Sequence, residues 1–294
     1  MSLGPRGRIV AVGALLGAFV ATMLLVRWRR AAAPARAVWV WSDRVMREPR
    51  ARDSLVAWAR RHRVDRVYQH VEPLLLEDPA AVEGFLRHLR REGIRVEALL
   101  GDPAWLSAPD SAVVRLDRLL GMHDRLGTDT LAGAHLDVEP QGLPAWATGR
   151  DSLVTAFQSL VERLRERRGS RTLPFHFDIP FWYDEVVVRG GDGISLAAWL
   201  IPRVEAVTVM AYLTDTAALW PALVSERALA RRYGTALRFG VETGCASRPA
   251  VSFCTAGRAS LEAMLTALHT RHRADSTWRG VAIHSYPAAT ALLR

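Results

Sequence analysis

From residue 38 onward, two hydrophobic patterns take turns along the chain. Short runs rich in β-branched and aromatic residues alternate with longer stretches whose apolar positions recur every three or four residues. The short runs predict strands at 38–41, 64–70, 94–100, 133–139, 173–179, 206–212, 238–242 and 280–286. The longer stretches predict helices, among them 53–62, 81–91, 153–168 and 260–271. Eight such units in about 250 residues predict an α/β fold of the closed (β/α)8 TIM-barrel type. No Gly-x-Gly-x-x-Gly turn follows the first strand, which argues against a dinucleotide-binding doubly wound sheet.

A different pattern precedes the barrel. Residues 9–26 carry no charge over 18 positions and are bounded by Arg8 and Arg27. That length suits a transmembrane or signal-anchor helix and exceeds a usual cleavable signal core. The small residues from Ala31 to Ala37 leave cleavage, and hence secretion, as the alternative. The expected organisation is therefore 1–37 as anchor and linker and 38–294 as barrel.

Strand parity places the chemistry. Residues two apart in a strand share a face. In the fourth strand His135, Asp137 and Glu139 share one face and Leu136 and Val138 the other. His176 and Asp178 share a face of the fifth strand, Thr208, Met210 and Tyr212 of the sixth, and Gly240 and Glu242 of the seventh. Ala282, His284 and Tyr286 do so in the eighth. Polar groups gathered late in barrel strands mark the face where such folds carry their sites.

Charge and composition narrow the classes. Of the net charge of +9, six come from Arg6, Arg8, Arg27, Arg29, Arg30 and Arg36, leaving +3 for everything after them. The basicity belongs to the N-terminus, and no aromatic-basic motif follows, so nucleic acid is not an expected partner. The chain contains no lysine, which excludes Schiff-base mechanisms and lysine-bound pyridoxal phosphate. No cofactor is expected. The arginines flanking 9–26 are nearly balanced between its two sides. Cys245 and Cys254 are close enough in one predicted loop for a disulfide, which favours an extracytoplasmic barrel; two unrelated thiols are the alternative.

Asp137 and Glu139 stand about 7 Å apart along one strand face, near enough to drive their pKa values apart and leave one as acid and one as anion. Glycoside hydrolysis needs that division of labour, and Glu242 offers a third carboxylate. Trp39, Trp41, Tyr68, Trp105, Trp146, Trp182, Tyr212 and Tyr286 fall at predicted strand ends or loops, where flat rings suit sugar faces. His135, Asp178 and His284 complete the expected substrate-binding set with Trp41, Trp182, Tyr212 and Tyr286.

The segment from Gly133 to Glu139 resembles the fourth-strand motif of chitinase-like glycoside hydrolases, Asp-x-x-Asp-x-Asp-x-Glu, and Met210-Ala211-Tyr212 resembles their sixth-strand Met-x-Tyr. The resemblance implies Glu139 as general acid, Asp137 as the group orienting a substrate N-acetyl nucleophile, and Tyr212 as its hydrogen-bond partner. Ala132 and His135 replace the first two Asp residues, and no tryptophan closes the eighth strand. Glu139-Pro140 and Glu242 also resemble the large barrel-glycosidase clan, which implies Glu242 as a direct nucleophile; Val138 stands where that clan usually has Asn.

Two other classes stay open. His135, Asp137, Glu139, Asp178, Glu242 and His284 offer oxygen and nitrogen ligands for a metal-dependent hydrolase or isomerase. Trp39-Val40-Trp41, however, lacks the paired first-strand histidines of many metal barrels. A non-catalytic carbohydrate-binding barrel would share the aromatics and need no acid.

Overall fold

The computed structural model describes residues 36–190, 193–245 and 248–294. Eight parallel strands close into one ring: β1 (Arg36–Val40), β2 (Val64–His70), β3 (Arg95–Leu100), β4 (Gly133–Leu136), β5 (Phe175–Pro180), β6 (Ala206–Met210), β7 (Ala236–Glu242) and β8 (Trp278–His284). β1 pairs with both β2 and β8, which leaves no free edge. The principal helices are α1 (Pro49–Arg61), α2 (Pro79–Arg91), α3 (Pro109–Leu126), α4 (Trp146–Arg168), α5 (Leu196–Leu200), α6 (Val224–Tyr233), α7 (Phe253–His272) and α8 (Tyr286–Leu292). One follows each strand in turn.

α2 shows how the sequence sets a helix. Asp78 caps its first turn by accepting the Ala81 N–H, and Pro79 sits where no N–H is needed. Val82, Phe85, Leu86 and Leu89 recur at three- and four-residue spacing and are fully buried against the barrel. His88, Arg90 and Arg91 close the last turn, where the helix dipole favours cations. Two helices start earlier than apolar periodicity suggested because Pro49 and Pro79 open them ahead of the periodic core, and two because a further turn precedes a kink at Gly149 or Gly257.

The pleat separates two apolar layers. Val38, Val40, Val67, Val96, Leu136, Phe177, Val209 and Val241 join the layer between sheet and helices. Ala37, Trp39, Tyr68, Leu99 and Ala282 form a separate cluster inside the ring. Both faces of the strands are therefore buried, as closed parallel sheets require.

Strand ends differ from expectation by a few residues. β4 stops at Leu136 instead of Glu139, although the Asp137 N–H still donates to Leu100 O at 2.9 Å. Pro140, which has no N–H, then opens a 3-10 turn over Pro140–Gly142 and turns the chain from the ladder. β6 likewise stops at Met210, and β8 runs two residues earlier at both ends. The expected membrane segment, 9–26, lies outside the described residues. Among the described residues no helix is long and apolar enough to cross a membrane.

Candidate active site

The interior of the barrel is a column of alternating charge. At its base the Arg66 guanidinium of β2 pairs with Glu97 of β3. The other Glu97 oxygen lies 2.7 Å from His135 Nδ1 of β4 and 2.7 Å from His176 Nδ1 of β5. His135 Nε2 then meets Asp178 Oδ1 of β5 at 2.8 Å, and Trp39 Nε1 of β1 donates to Asp178 Oδ2 at 2.9 Å. Register explains the assembly: His135 is level with Leu99 on one side and His176 on the other. Tyr68 stacks on the His135 ring at 3.8 Å, and its hydroxyl is 3.2 Å from Thr208 Oγ1.

Glu97 and His135 are fully buried and Asp178 nearly so. Burial alone would neutralise Glu97 and His135. It raises the Glu97 pKa, but His176, His135 and Arg66 overcome that and hold the carboxyl well below its ordinary range. Burial likewise opposes charge on His135, yet Asp178 and Glu97 outweigh it and raise its pKa to about 9.

Above this column lie the groups facing the mouth. Asp137 and Glu139 follow β4 directly, each partly exposed. Close approach of Gly101 to the Asp137 peptide fixes the backbone there: a Cβ at 101 would overlap the Asp137 carbonyl, and φ at this residue is +156°. Gln141 Nε2 donates to Glu139 Oε1 at 2.9 Å, and Tyr183 Oη donates to Gln141 Oε1 at 3.0 Å. Among the described residues Asp137 Oδ1 has no hydrogen-bond partner.

Across the mouth, Glu242 of β7 accepts from the Gly244 N–H, and His284 Nδ1 of β8 lies 3.0 Å from its other oxygen. Trp41 Nε1 donates to His284 Nε2 at 3.0 Å, so hydrogen on Nδ1 satisfies the ring on both sides. Trp41 is 38% exposed and offers a flat face at the rim. The Tyr212 ring lies 5.9 Å from His284. Gly240 makes room for this packing, since a Cβ there would press on both Trp39 and Tyr212.

The sequence predicts that Asp137 and Glu139 divide into acid and anion. Both are raised, Asp137 the further. Burial, then Asp178 and Glu139, push Asp137 well above the carboxylate range. Burial and Asp178 also raise Glu139, against the pull of Gln141 and His284. Burial would raise Glu242 too, but His284 and the Gly244 N–H hold it below its ordinary value. The carboxyls with raised pKa thus sit after β4 and the one with lowered pKa after β7. Burial also raises the Tyr212 hydroxyl well above its usual range, so it stays a donor.

The other expected site residues lie apart. Tyr286 packs on Trp58 of α1, outside the ring. Trp182 stands 6.0 Å from Trp146 and 5.4 Å from Tyr183, on the side of the mouth that follows β4 and β5. Trp105, Trp39 and Tyr68 are buried. His135 and Asp178 are buried inside the ring. Sequence reasoning missed Glu97, Gln141 and Tyr183. Glu97 left a signal, a lone carboxylate at an inward position of a strand whose other residues after Arg95 are apolar; Gln141 left none.

Among the described residues one group has metal-ligand spacing, Glu97, His135 and His176. Arg66 already pairs with Glu97, and both His135 nitrogens face carboxylates. That donor set fits a proton-balanced network better than a metal, whose ligands must give up protons.

Solved structures share this architecture. A GH18 chitinase from Pseudoalteromonas aurantia matches with a TM-score of 0.56 and 12% identity, over 85% of this chain and 93% of that one. The barrel has the fold of the chitinase-like enzymes. Dispersin B matches with a TM-score of 0.50 and 11% identity, over 88% of this chain and 94% of its own. No family model and no curated protein sequence matches the chain.

Proposed function

We propose that this barrel hydrolyses a glycosidic bond, with Glu139 as general acid and Asp137 assisting. The observation that carries the proposal is the Glu139 carboxyl itself. It lies at the mouth, keeps its proton above the ordinary range, and is aimed by Gln141 and Tyr183. A general acid needs that combination of proton, position and access. The fold shared with a chitinase supports a carbohydrate substrate.

In the substrate-assisted route, Glu139 gives its proton to the leaving oxygen as the substrate acetamido oxygen attacks the anomeric carbon. Asp137 Oδ1, without a hydrogen-bond partner among the described residues, receives the acetamido N–H. The Tyr212 hydroxyl donates to the acetamido oxygen. Glu139, now a carboxylate, takes a proton from the water that opens the intermediate. Trp41 supplies a stacking face at the rim.

A second reading is favoured by one observation: Glu242 is held ionised by His284 and the Gly244 N–H, as a direct nucleophile would be. Glu139 remains the acid in both. Residues 38–294 assayed on aryl N-acetylhexosaminides and aryl hexosides, beside Glu139→Gln and Glu242→Gln, separate the two. Hydrolysis confined to N-acetylated substrates and lost in Glu139→Gln supports the first. Hydrolysis of plain hexosides lost in Glu242→Gln supports the second. Sugar binding without hydrolysis would replace both with a binding barrel.

We also propose that the barrel is extracytoplasmic, tethered by 9–26 or secreted after its removal. The Cys245–Cys254 disulfide, with Cα atoms 5.1 Å apart, suits an oxidising compartment. Thiol labelling of intact cells checks this: labelling of the pair only after reduction supports it, and labelling without reduction opposes it.

A further inference from the structure

We propose that Glu242 and His284 are positioning residues for Trp41: together they orient its indole as a platform for the apolar face of a sugar ring. The inference rests on the reading of the mouth as a glycan site and deepens it. It gives Glu242 a role other than nucleophile.

Four residues on β7, β8 and the end of β1 form one continuous chain. The Gly244 N–H donates to Glu242 Oε1 at 2.5 Å, and His284 Nδ1 lies 3.0 Å from Glu242 Oε2. Trp41 Nε1 donates to His284 Nε2 at 3.0 Å. Register builds the middle of the chain, because Glu242 of β7 and His284 of β8 are paired across the two strands. Thr243 ties down the same spot: its N–H and its hydroxyl both donate to the His284 carbonyl at 2.7 Å. Trp41 directly follows β1, the other neighbour of β8.

Donor and acceptor chemistry fixes the direction of every bond. An indole N–H only donates, so His284 Nε2 must offer its lone pair to Trp41. The ring proton therefore sits on Nδ1 and points at Glu242. Burial would raise the Glu242 pKa, but His284 and the Gly244 N–H hold it below its ordinary value, so both oxygens accept. Each oxygen is thus engaged within the protein, as an anchor requires.

The chain runs outward to the ring that is open. Glu242 is buried, His284 half-buried and Trp41 exposed. An indole whose N–H is satisfied internally offers a ligand its face rather than its polar edge. His284 also lies against Tyr212, so it adjoins both of the aromatic groups a sugar would meet there. A free indole would lose rotamer freedom on stacking, and one already pinned at its N–H avoids part of that cost.

The test starts from Glu242→Gln, which keeps the size of the side chain and changes only what it offers. The carboxamide oxygen can still accept from Gly244, but an N–H then faces His284. His284 Nδ1 must accept, its proton moves to Nε2, and two N–H donors oppose each other at Trp41. Imidazole 15N shifts and the Trp41 indole N–H resonance read this without turnover. At pH 8 the proton should sit on Nδ1 in the wild type and on Nε2 in the variant. The Trp41 N–H should then lose its hydrogen-bonded shift and exchange about tenfold faster. An unchanged tautomer or an unmoved Trp41 resonance would overturn the proposal.

Kinetics on aryl N-acetylhexosaminides give the second readout. Glu242→Gln and His284→Leu should each raise KM by about 3- to 10-fold and lower kcat by less. His284→Gln offers both an acceptor to Trp41 and a donor to Glu242, and should bring KM back toward the wild type. With Trp41→Ala in place, Glu242→Gln should add nothing further, because both act through one ring. Unchanged KM with kcat lost by roughly 100-fold in Glu242→Gln would overturn the positioning role and leave a nucleophile. Should His284→Leu not fold, Glu242→Gln and its resonances decide alone. A barrel that hydrolyses no sugar yet shows the linked shifts would refute the glycosidase reading and leave the orientation of Trp41 standing.

Discussion

Gln141 donates its side-chain amide to Glu139 across 2.9 Å, and Tyr183 in turn holds Gln141 at 3.0 Å. This three-residue chain sets both the aim and the proton affinity of the acid, because a donor to a carboxylate favours its charged form.

Removing that donor therefore raises the Glu139 pKa. Activity that needs protonated Glu139 is present below its pKa and lost as pH rises through it. Gln141→Ala is expected to move the alkaline limb of kcat/KM upward. It should also lower kcat by roughly 10- to 100-fold through lost aim. Tyr183→Phe should do the same more weakly. A pH–rate profile for each variant is the check, and a downward shift in Gln141→Ala would refute the assignment.

Gly101 and Asp137 touch backbone to backbone. Gly101→Ala should force Asp137 away from its position, at a cost of about 2 kcal/mol or more in stability. Denaturant melts and kcat are both expected to fall. Retained kcat would mean that the position of Asp137 is not important to turnover.

Glu226 on α6 is wholly buried, and neither carboxyl oxygen has a partner among the described residues. Burial pushes its pKa up to about 8. The folded state thus binds the proton more tightly than the unfolded chain, and stability falls as pH rises from the unfolded value toward 8. Glu226→Gln should match the wild type near pH 4.5. It should exceed it progressively to pH 8, by roughly 1.4 kcal/mol for each unit. Unfolding curves at pH 5 and pH 8 test this, and equal gains at both would count against it.

The disulfide between Cys245 and Cys254 closes the loop after β7, within which Ser252 Oγ donates to Gly244 O at 2.8 Å. Gly244 in turn contacts Glu242. Cys245→Ser/Cys254→Ser is expected to lower stability by about 2–3 kcal/mol on loop-closure grounds. Melting with and without reductant gives the comparison. A wild type indifferent to reductant would show that the bond adds nothing to stability.

Chelators are expected to leave activity and melting temperature unchanged, since within the Glu97, His135 and His176 group Arg66 already pairs with Glu97 and Asp178 with His135. Assay after dialysis against a chelator, with and without added zinc, decides it. Loss of activity restored by metal would favour the metal-dependent reading.

Periodicity by itself determined the ring, because period-two and period-3.6 patterns are local consequences of strand and helix geometry. Parity determined that His135, Asp137, Asp178, Glu242 and His284 face inward. It could not determine depth. Whether an inward residue lies beneath the mouth, like His135 and Asp178, or opens to it, like Glu139, depends on barrel stagger and cross-strand register. The partners of those residues come from other strands or loops: Glu97 is 38 positions from His135, and Trp39 is 139 from Asp178. A pKa is set by such through-space neighbours and by burial. The sequence could therefore name the carboxylates, while only the closed barrel decided that burial and Asp178 of the neighbouring strand would raise the pKa of both Asp137 and Glu139.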